Sequence, residues 1–336
     1  MILTSFDAIR QQLQDLPEPD SASIEACWLR EIRLTKPRRA LGRLEELSAW
    51  LAGWQRRQPP HLDDMRALVF AGSHGVTRRG ISAFPPEVTG QMVANFNAGK
   101  AAINQLCTLA GAQLEIVPIR VDEPTQDFCT GPAMSEDECV EAFAAGFDTV
   151  STKQSDLLIL GEMGIGNTTT AAAIGAALFD ETGMDWAGPG TGLDDVGVAH
   201  KAGVVDLALE YHRHALGDPL EVLRRLGGRE IAALSGAILG ARRTNTPVLL
   251  DGFVVTAAAT LLHALNPHAL DHCQAAHVSA EPAHRQLLDH LKLKPLLDLD
   301  MRLGEGSGAA VAALILKAAV ACHTGMATFE EAAVSQ

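Results

Sequence analysis

Four short, almost wholly apolar runs punctuate the chain: ALVFAG (67–72), LEIVPIRV (114–121), DLLILG (156–161) and PVLLDG (247–252). Most end in small or glycine residues, and runs of this length between turn signals predict strands buried on both faces. Alanine-rich stretches with apolar residues at helical spacing separate them. PEVTGQMVANFNAGKAAINQLCTLAGA (86–112) predicts a helix with proline near its first turn. SEDECVEAFAAGF (135–147) predicts another, opened by a capping box of Ser135 and Glu138. Before Pro59–Pro60 the pattern differs. Residues 1–60 alternate helical segments and breakers without a clear strand, and LGRLEELSAWLAGWQ (41–55) is the clearest helix among them.

Strand, small-residue turn and helix in repetition predict an α/β fold: a Rossmann-like three-layer domain with a mostly parallel sheet, plus a small helical lobe. The boundaries are an N-terminal helical lobe over 1–60, joined by residues of the C-terminal helix, and an α/β domain carrying the site over 61–330. Ligands of such sheets gather beyond the carboxyl ends of the strands. Function is therefore sought in the turns that follow them.

Composition narrows the classes. The chain of 336 residues is 47% hydrophobic and 20% charged, with a formal net charge of −14. That is the balance of a soluble globular protein, and its sign argues against a duplex nucleic-acid binder, which needs a basic footprint. Six scattered cysteines form no CxxC pair, so neither a zinc ribbon nor a disulfide framework is indicated. The N-terminus lacks the apolar core of a signal peptide. The most membrane-like stretch, GFVVTAAATLLHALNPHAL (252–270), is broken by His263 and Asn266–Pro267, predicting a buried helix. A cytoplasmic location without membrane or nucleic-acid partners is the expectation.

Several turns could carry chemistry. In AGSHGV (71–76), His74 either touches a ligand or is satisfied by local backbone. In LGEMGIGNTTTAAAIGAAL (160–178), Gly164 and Gly166 permit close approach, and Asn167 and Thr168 offer polar groups at a helix start. That suits a phosphate at a helix N-terminus, or simply an Asn cap. The turn is neither a P-loop nor GxGxxG, so a dinucleotide is not indicated. Lys201 could reach a phosphate as a point charge. Asp194 and Asp195 are better read as helix-start acids than as a metal pair, and Asp251 as a cap for the helix that follows it. His263, His268 and His272 lack a shared helical face, so no zinc motif results. In RLGEGSGAA (302–310), Gly304 and Gly306 flank Glu305. It is either a first-turn acid complementing the helix dipole or a base held on rigid backbone.

Taken together, these segments resemble the nicotinate-nucleotide–dimethylbenzimidazole phosphoribosyltransferase family. AGSHGV, SAFPPEVTGQMVANF (82–96), GPAMS (131–135), GEMGIGNTTTAAA (161–173), GTGLDD (190–195), PVLLDGFV (247–254), SAE (279–281) and RLGEGSGAA carry the resemblance in order. It implies transfer of phosphoribose from nicotinate mononucleotide to 5,6-dimethylbenzimidazole, giving nicotinate and α-ribazole 5′-phosphate, without metal or cofactor and in a homodimer. Glu305 falls at the family's general base. Glu162, Gly164, Gly166 and Asn167 fall in the mononucleotide site, and Lys201 and Ser279 where phosphate is contacted. Ser73 replaces an acid common at that position, and KPRRALGRLE (36–45) departs from the family's early segment. Phe84 and Met92 align with polar residues that line the base pocket in some members, implying a more apolar pocket here. The alternatives are transfer to another base such as adenine, and a nucleotide-binding regulator without catalysis.

Overall fold

Side chains alternate across each central strand, and the alternation sorts them into two cores. In the computed structural model, which describes residues 3–335, the predicted runs form β1 (Met65–Ala71), β2 (Ala112–Pro118), β3 (Leu157–Met163) and β4 (Val248–Leu250). With β5 (Cys273–Ala275) they make one sheet in the order β2-β1-β3-β4-β5, every pair parallel. Leu68 and Phe70 of β1, Leu158 and Leu160 of β3, and Val248 and Leu250 of β4 enter one core. Their neighbours Val69, Ile159 and Leu249 enter the other. The first core is covered by helices that include Glu136–Ser151, Asn167–Phe179, Arg229–Arg243 and Phe253–Leu265. The second lies under Arg43–Gln55, Ala102–Ala110 and Ser307–Gly325. Helices on both faces of a parallel sheet make the expected three layers.

The sequence-based elements are largely present, with two differences. The helix expected over 86–112 is two, Val88–Asn97 and Ala102–Ala110, because Gly99 between them adopts φ +73°. Three short strands, β5, β6 (His277–Val278) and β7 (Leu297–Asp298), have only two or three residues each and show no apolar run. The capping box at Ser135 and Glu138 forms both of its bonds.

Within residues 3–60, helix Phe6–Gln12 sits in the main core through Phe6 and Ile9. Ser21–Glu31 and Arg43–Gln55 instead pack together around Cys27, Ala49 and Ala52. They are tied to the end of Ser307–Gly325 by a 2.5 Å contact between His323 Nδ1 and Glu31 Oε1. That C-terminal helix is long and apolar enough to cross a membrane, yet Ala309, Ala313 and Leu316 are almost wholly buried against the sheet. The stretch 252–270 forms the buried helix Phe253–Leu265.

Candidate active site

The strand order 2-1-3-4-5 places a crevice beyond the carboxyl ends of the strands, where neighbouring connections diverge. A cleft of about 610 Å³ lies there. Its walls come from the end of β3, the turns after β4 and β6, the 190–191 loop and the 302–304 turn.

One end of the cleft is suited to an anion. Gly166, at φ +94°, starts helix Asn167–Phe179 with no side-chain cap, so Asn167 and Thr168 meet the cleft at a bare N-terminus. Lys201 is 1% exposed, and its Nζ donates to Thr168 Oγ1 at 2.8 Å and to the Gly188 carbonyl at 3.1 Å. Burial pulls its pKa down to about 8, with Glu281 opposing the shift. Glu281, also buried, has no hydrogen-bond partner on either carboxylate oxygen. Burial raises its pKa while the Lys201 and Arg302 charges hold it back. Ser279 Oγ accepts the Glu281 N–H at 3.2 Å, and Arg302 donates to the Gly190 carbonyl at 2.9 Å. Lys201 and Arg302 thus fasten the 188–190 loop to the start of helix Asn167–Phe179 and to the 302–304 turn, while the 279–281 turn closes on itself.

At the other end Glu162 lines the cleft, and the buried Glu305 and Asp251 lie next to its wall. Glu162, the penultimate residue of β3, accepts a hydrogen bond from the Asn167 amide. Burial, then the Asp251 and Glu230 charges, push its carboxyl up to about 8. Gly304, Glu305 and Gly306 lie in consecutive left-handed conformations, at φ +79°, +63° and +83°. For a residue with a Cβ this conformation costs ~1–2 kcal/mol. The turn is compelled by proximity: a Cβ at Gly304 would collide with Glu162 Oε1, and one at Gly161 with the Gly306 nitrogen. Glu305 is 5% exposed and its Oε2 has no partner. Burial, then the Asp251 charge, raise its pKa to about 7.

Asp251 organises this end from below. Its carboxylate accepts the N–H of Gly306 at 3.0 Å and of Ala309 at 2.9 Å, capping helix Ser307–Gly325 rather than the helix that follows it in sequence. His277 Nε2 lies 3.4 Å from the same carboxylate. Burial lowers the His277 pKa, but Asp251 outweighs it and the net shift is upward.

The structure brings Glu162, Gly164, Asn167, Thr168, Ser279 and Gly304 to the cleft wall. Lys201 is held behind Thr168, and Gly166 and Gly306 form the turns that support the wall. Three expectations are corrected. His74 is 1% exposed, with Nε2 2.5 Å from Glu230 Oε1 and Nδ1 3.3 Å from Thr170 Oγ1, so it supports the Gly164 turn from behind. Phe84 is 51% exposed on a loop outside the cleft, because the chain at 82–87 runs across the rim, where Ser82 Oγ lies 3.3 Å from Thr191 Oγ1. Met92 packs into the second core from helix Val88–Asn97. Asp194 caps helix Asp195–His212 through the Gly197 N–H, as expected. His272 bonds the Ile238 carbonyl and His268 is exposed beside Asp271, so these histidines form no ligand set.

Sequence reasoning missed Glu230 and Arg302. Glu230, wholly buried, lies under the Gly72 and Gly164 backbones. Its only signal is an acid at a helix start. Arg302 stands three residues before Glu305, and nothing in its neighbourhood marks it as the residue that reaches the 190 loop.

Comparison with known proteins shows the family and the fold. A family model described as phosphoribosyltransferase matches residues 16–334. A nicotinate-nucleotide–dimethylbenzimidazole phosphoribosyltransferase of Cereibacter sphaeroides is 56% identical over 332 residues, 99% of this chain and 98% of that one. One from Mesorhizobium japonicum is 54% identical over 336 residues, the whole of both chains. The crystal structure of CobT from Thermus thermophilus superposes with a TM-score of 0.87 at 40% identity, covering 94% of this chain and 99% of that chain. With its three-layer sheet, its motifs and its full-length relatives in agreement, the chain belongs to the nicotinate-nucleotide–dimethylbenzimidazole phosphoribosyltransferase family and is a pentosyltransferase.

Proposed function

We propose that the protein transfers the 5-phosphoribosyl group of nicotinate mononucleotide to 5,6-dimethylbenzimidazole, releasing nicotinate and forming α-ribazole 5′-phosphate, with Glu305 as general base. The observation that carries the reading is the Glu305 carboxyl: buried, with one oxygen free of partners and a pKa of about 7, fixed beside Glu162. At neutral pH such a group is divided between acid and base forms, which is where general-base catalysis is most effective.

The phosphate of the mononucleotide lies at the start of helix Asn167–Phe179, balanced by Lys201 and the Thr168 hydroxyl. That places ribose toward Glu162 and the Glu305 turn. A ring nitrogen of the benzimidazole attacks C1′ from the face opposite nicotinate. The C1′–nitrogen bond to nicotinate breaks with its electron pair, and inversion turns the β-nucleotide into an α-riboside. Nicotinate carries a positive ring nitrogen while bonded to ribose, so it leaves neutral at that nitrogen and needs no acid. The remaining N–H proton of the benzimidazole passes to Glu305. Glu162, with its pKa of about 8, is protonated at pH 7 and so donates a hydrogen bond where a second anion would repel the first.

The test is direct. Purified protein incubated with nicotinate mononucleotide gives nicotinate and α-ribazole phosphate in equal amounts, and only when dimethylbenzimidazole is present. Nicotinate released without acceptor would mark a hydrolase instead, and binding without either product a regulator.

A further inference from the structure

Glu281 stands at the N-cap position of helix Pro282–His290, where an acidic side chain ordinarily accepts the first free backbone N–H groups. It makes no such bond. The residue lines the cleft instead, together with Thr168 and the 190–191 loop. Gly188 makes room for its carboxylate, since a Cβ there would collide with Glu281 Oε2. The carbonyl of the same glycine accepts a hydrogen bond from Lys201. One residue without a side chain thus touches both the buried cation and the buried carboxylate.

The other buried acids of this region have donors: Glu230 lies against His74, and Asp251 accepts two backbone N–H groups. Glu281 is 5% exposed and neither of its oxygens has a hydrogen-bond partner, the Gly190 N–H facing it without completing a bond. Lys201, from helix Asp195–His212, and Arg302, from the 302–304 turn, are the cations whose charges reach it. On its outer side Arg285 is already paired with Asp298 at 2.9 Å, with Asp300 in the same hollow. His284 is committed to Thr256 Oγ1 and the Ser279 N–H, His277 lies against Asp251, and Glu162 is at the far end of the cleft. A buried carboxylate left without donors calls for a ligand that brings a hydrogen to it.

Two cations and one carboxylate leave this end of the cleft with a single positive charge. The phosphate of a mononucleotide has its second pKa at about 6 and is chiefly a dianion at pH 7. Beside Glu281 it would set three negative charges against two positive ones. Two oxyanions held side by side cannot both stay fully ionised, and share a proton instead. On the phosphate position proposed above, we infer that Glu281 and the 5′-phosphate of the donor share one proton in the complex, drawn from solvent as the nucleotide binds. The proton lies between a carboxylate oxygen and a phosphate oxygen, and no covalent bond to carbon or phosphorus changes. Glu281 therefore selects a phosphomonoester, which can carry that proton, and excludes sulfate, which cannot at neutral pH.

Calorimetric titration of the full chain with nicotinate mononucleotide at pH 7, in buffers of different ionisation enthalpy, counts the protons taken up. The wild-type protein is expected to take up at least half a proton more than Glu281→Gln, and the 5′-unphosphorylated riboside to give equal counts in the two. Lys201 cannot produce this difference. Glu281 opposes the fall of its pKa, so the variant would gain protons through Lys201 rather than lose them. A melting temperature at or above that of the wild type, expected when an unpartnered buried charge is removed, shows the variant to be folded. The second measurement needs no variant: inorganic phosphate should compete with the mononucleotide at least tenfold better than sulfate does in the wild type, and Glu281→Gln should narrow that ratio. Equal proton counts, or equal competition by the two ions in the wild type, would overturn the shared proton. If Lys201→Met still weakens binding of the mononucleotide alone, the phosphate position survives that result; if it does not, the phosphate position falls as well.

Discussion

Asp251 accepts the backbone N–H of Gly306 at 3.0 Å, and so a residue at the end of β4 holds the left-handed turn that carries Glu305. Burial, and then the charge of the same carboxylate, raise the Glu305 pKa. One buried group thus holds the position of another and adds to its basicity.

Asp251→Asn separates these two effects. The amide keeps one acceptor but turns an N–H₂ toward the second backbone donor, costing ~1–3 kcal/mol of stability. With the charge gone, the Glu305 pKa falls. The acid limb of kcat therefore moves to lower pH, while kcat itself drops about 10–100-fold as the turn loosens. An unmoved limb would show that Asp251 acts on position alone.

Lys201→Met removes the point charge behind Thr168. The expected change is a rise of about 10–100-fold in KM for nicotinate mononucleotide, in line with ~1.5–3 kcal/mol for a hydrogen bond to a charged group. The KM for the benzimidazole stays near its wild-type value. The 5′-unphosphorylated riboside, as donor, is used equally poorly by both proteins. Steady-state kinetics with the two donors distinguishes a phosphate role from a general packing role.

Glu162 makes a prediction about stability against pH. Its folded-state pKa lies above the ordinary value of 4.5, at about 8. Its proton therefore stabilises the folded chain fully below the unfolded pKa, and that contribution is lost as pH rises toward 8. Between pH 5 and 8 the wild-type protein without substrate loses stability relative to Glu162→Gln, by about 1.4 kcal/mol for each pKa unit of the shift at most. Thermal melts of the two proteins at pH 5, 6.5 and 8 read the difference. Parallel curves would mean that Glu162 titrates normally.

Gly161→Ala probes the contact that shapes the turn carrying Glu305. Its Cβ would meet the Gly306 nitrogen and the Glu305 carbonyl, all of them backbone atoms with little room to retreat. Activity falls at least 100-fold, and stability by ~1–3 kcal/mol, the range for overpacking a tight interior. Activity and a melting temperature like those of the wild type would show the turn to be pliable.

Much of this architecture was legible in the chain because it is local. β1, β3 and β4 stand out as apolar runs between turn residues, and the Ser135–Glu138 box marks its helix without help from elsewhere. The motifs after the strands pointed to the cleft for the same reason. What stayed hidden is long-range. Asp251 looks like a cap for its own helix, and nothing in its neighbourhood says that it caps one beginning more than fifty residues later. Glu230 is buried beneath a turn contributed by two other strands. His74 shows a ligand-like setting among small residues, but its partners, Glu230 and Thr170, come from distant helices. Phe84 and Met92 were placed by alignment, and alignment does not report which way a loop crosses a rim.

The central claim is that Glu305 takes the proton, and single-turnover chemistry across pH tests it most directly. The rate of α-ribazole phosphate formation, measured from pH 5.5 to 9 with both substrates saturating, should rise with the loss of one proton at about pH 7, where the Glu305 carboxyl titrates. In Glu305→Gln the rate should fall about 10²–10⁴-fold and that rise should vanish. A Glu305→Gln enzyme that kept a near-normal rate, or the same pH dependence, would contradict the account.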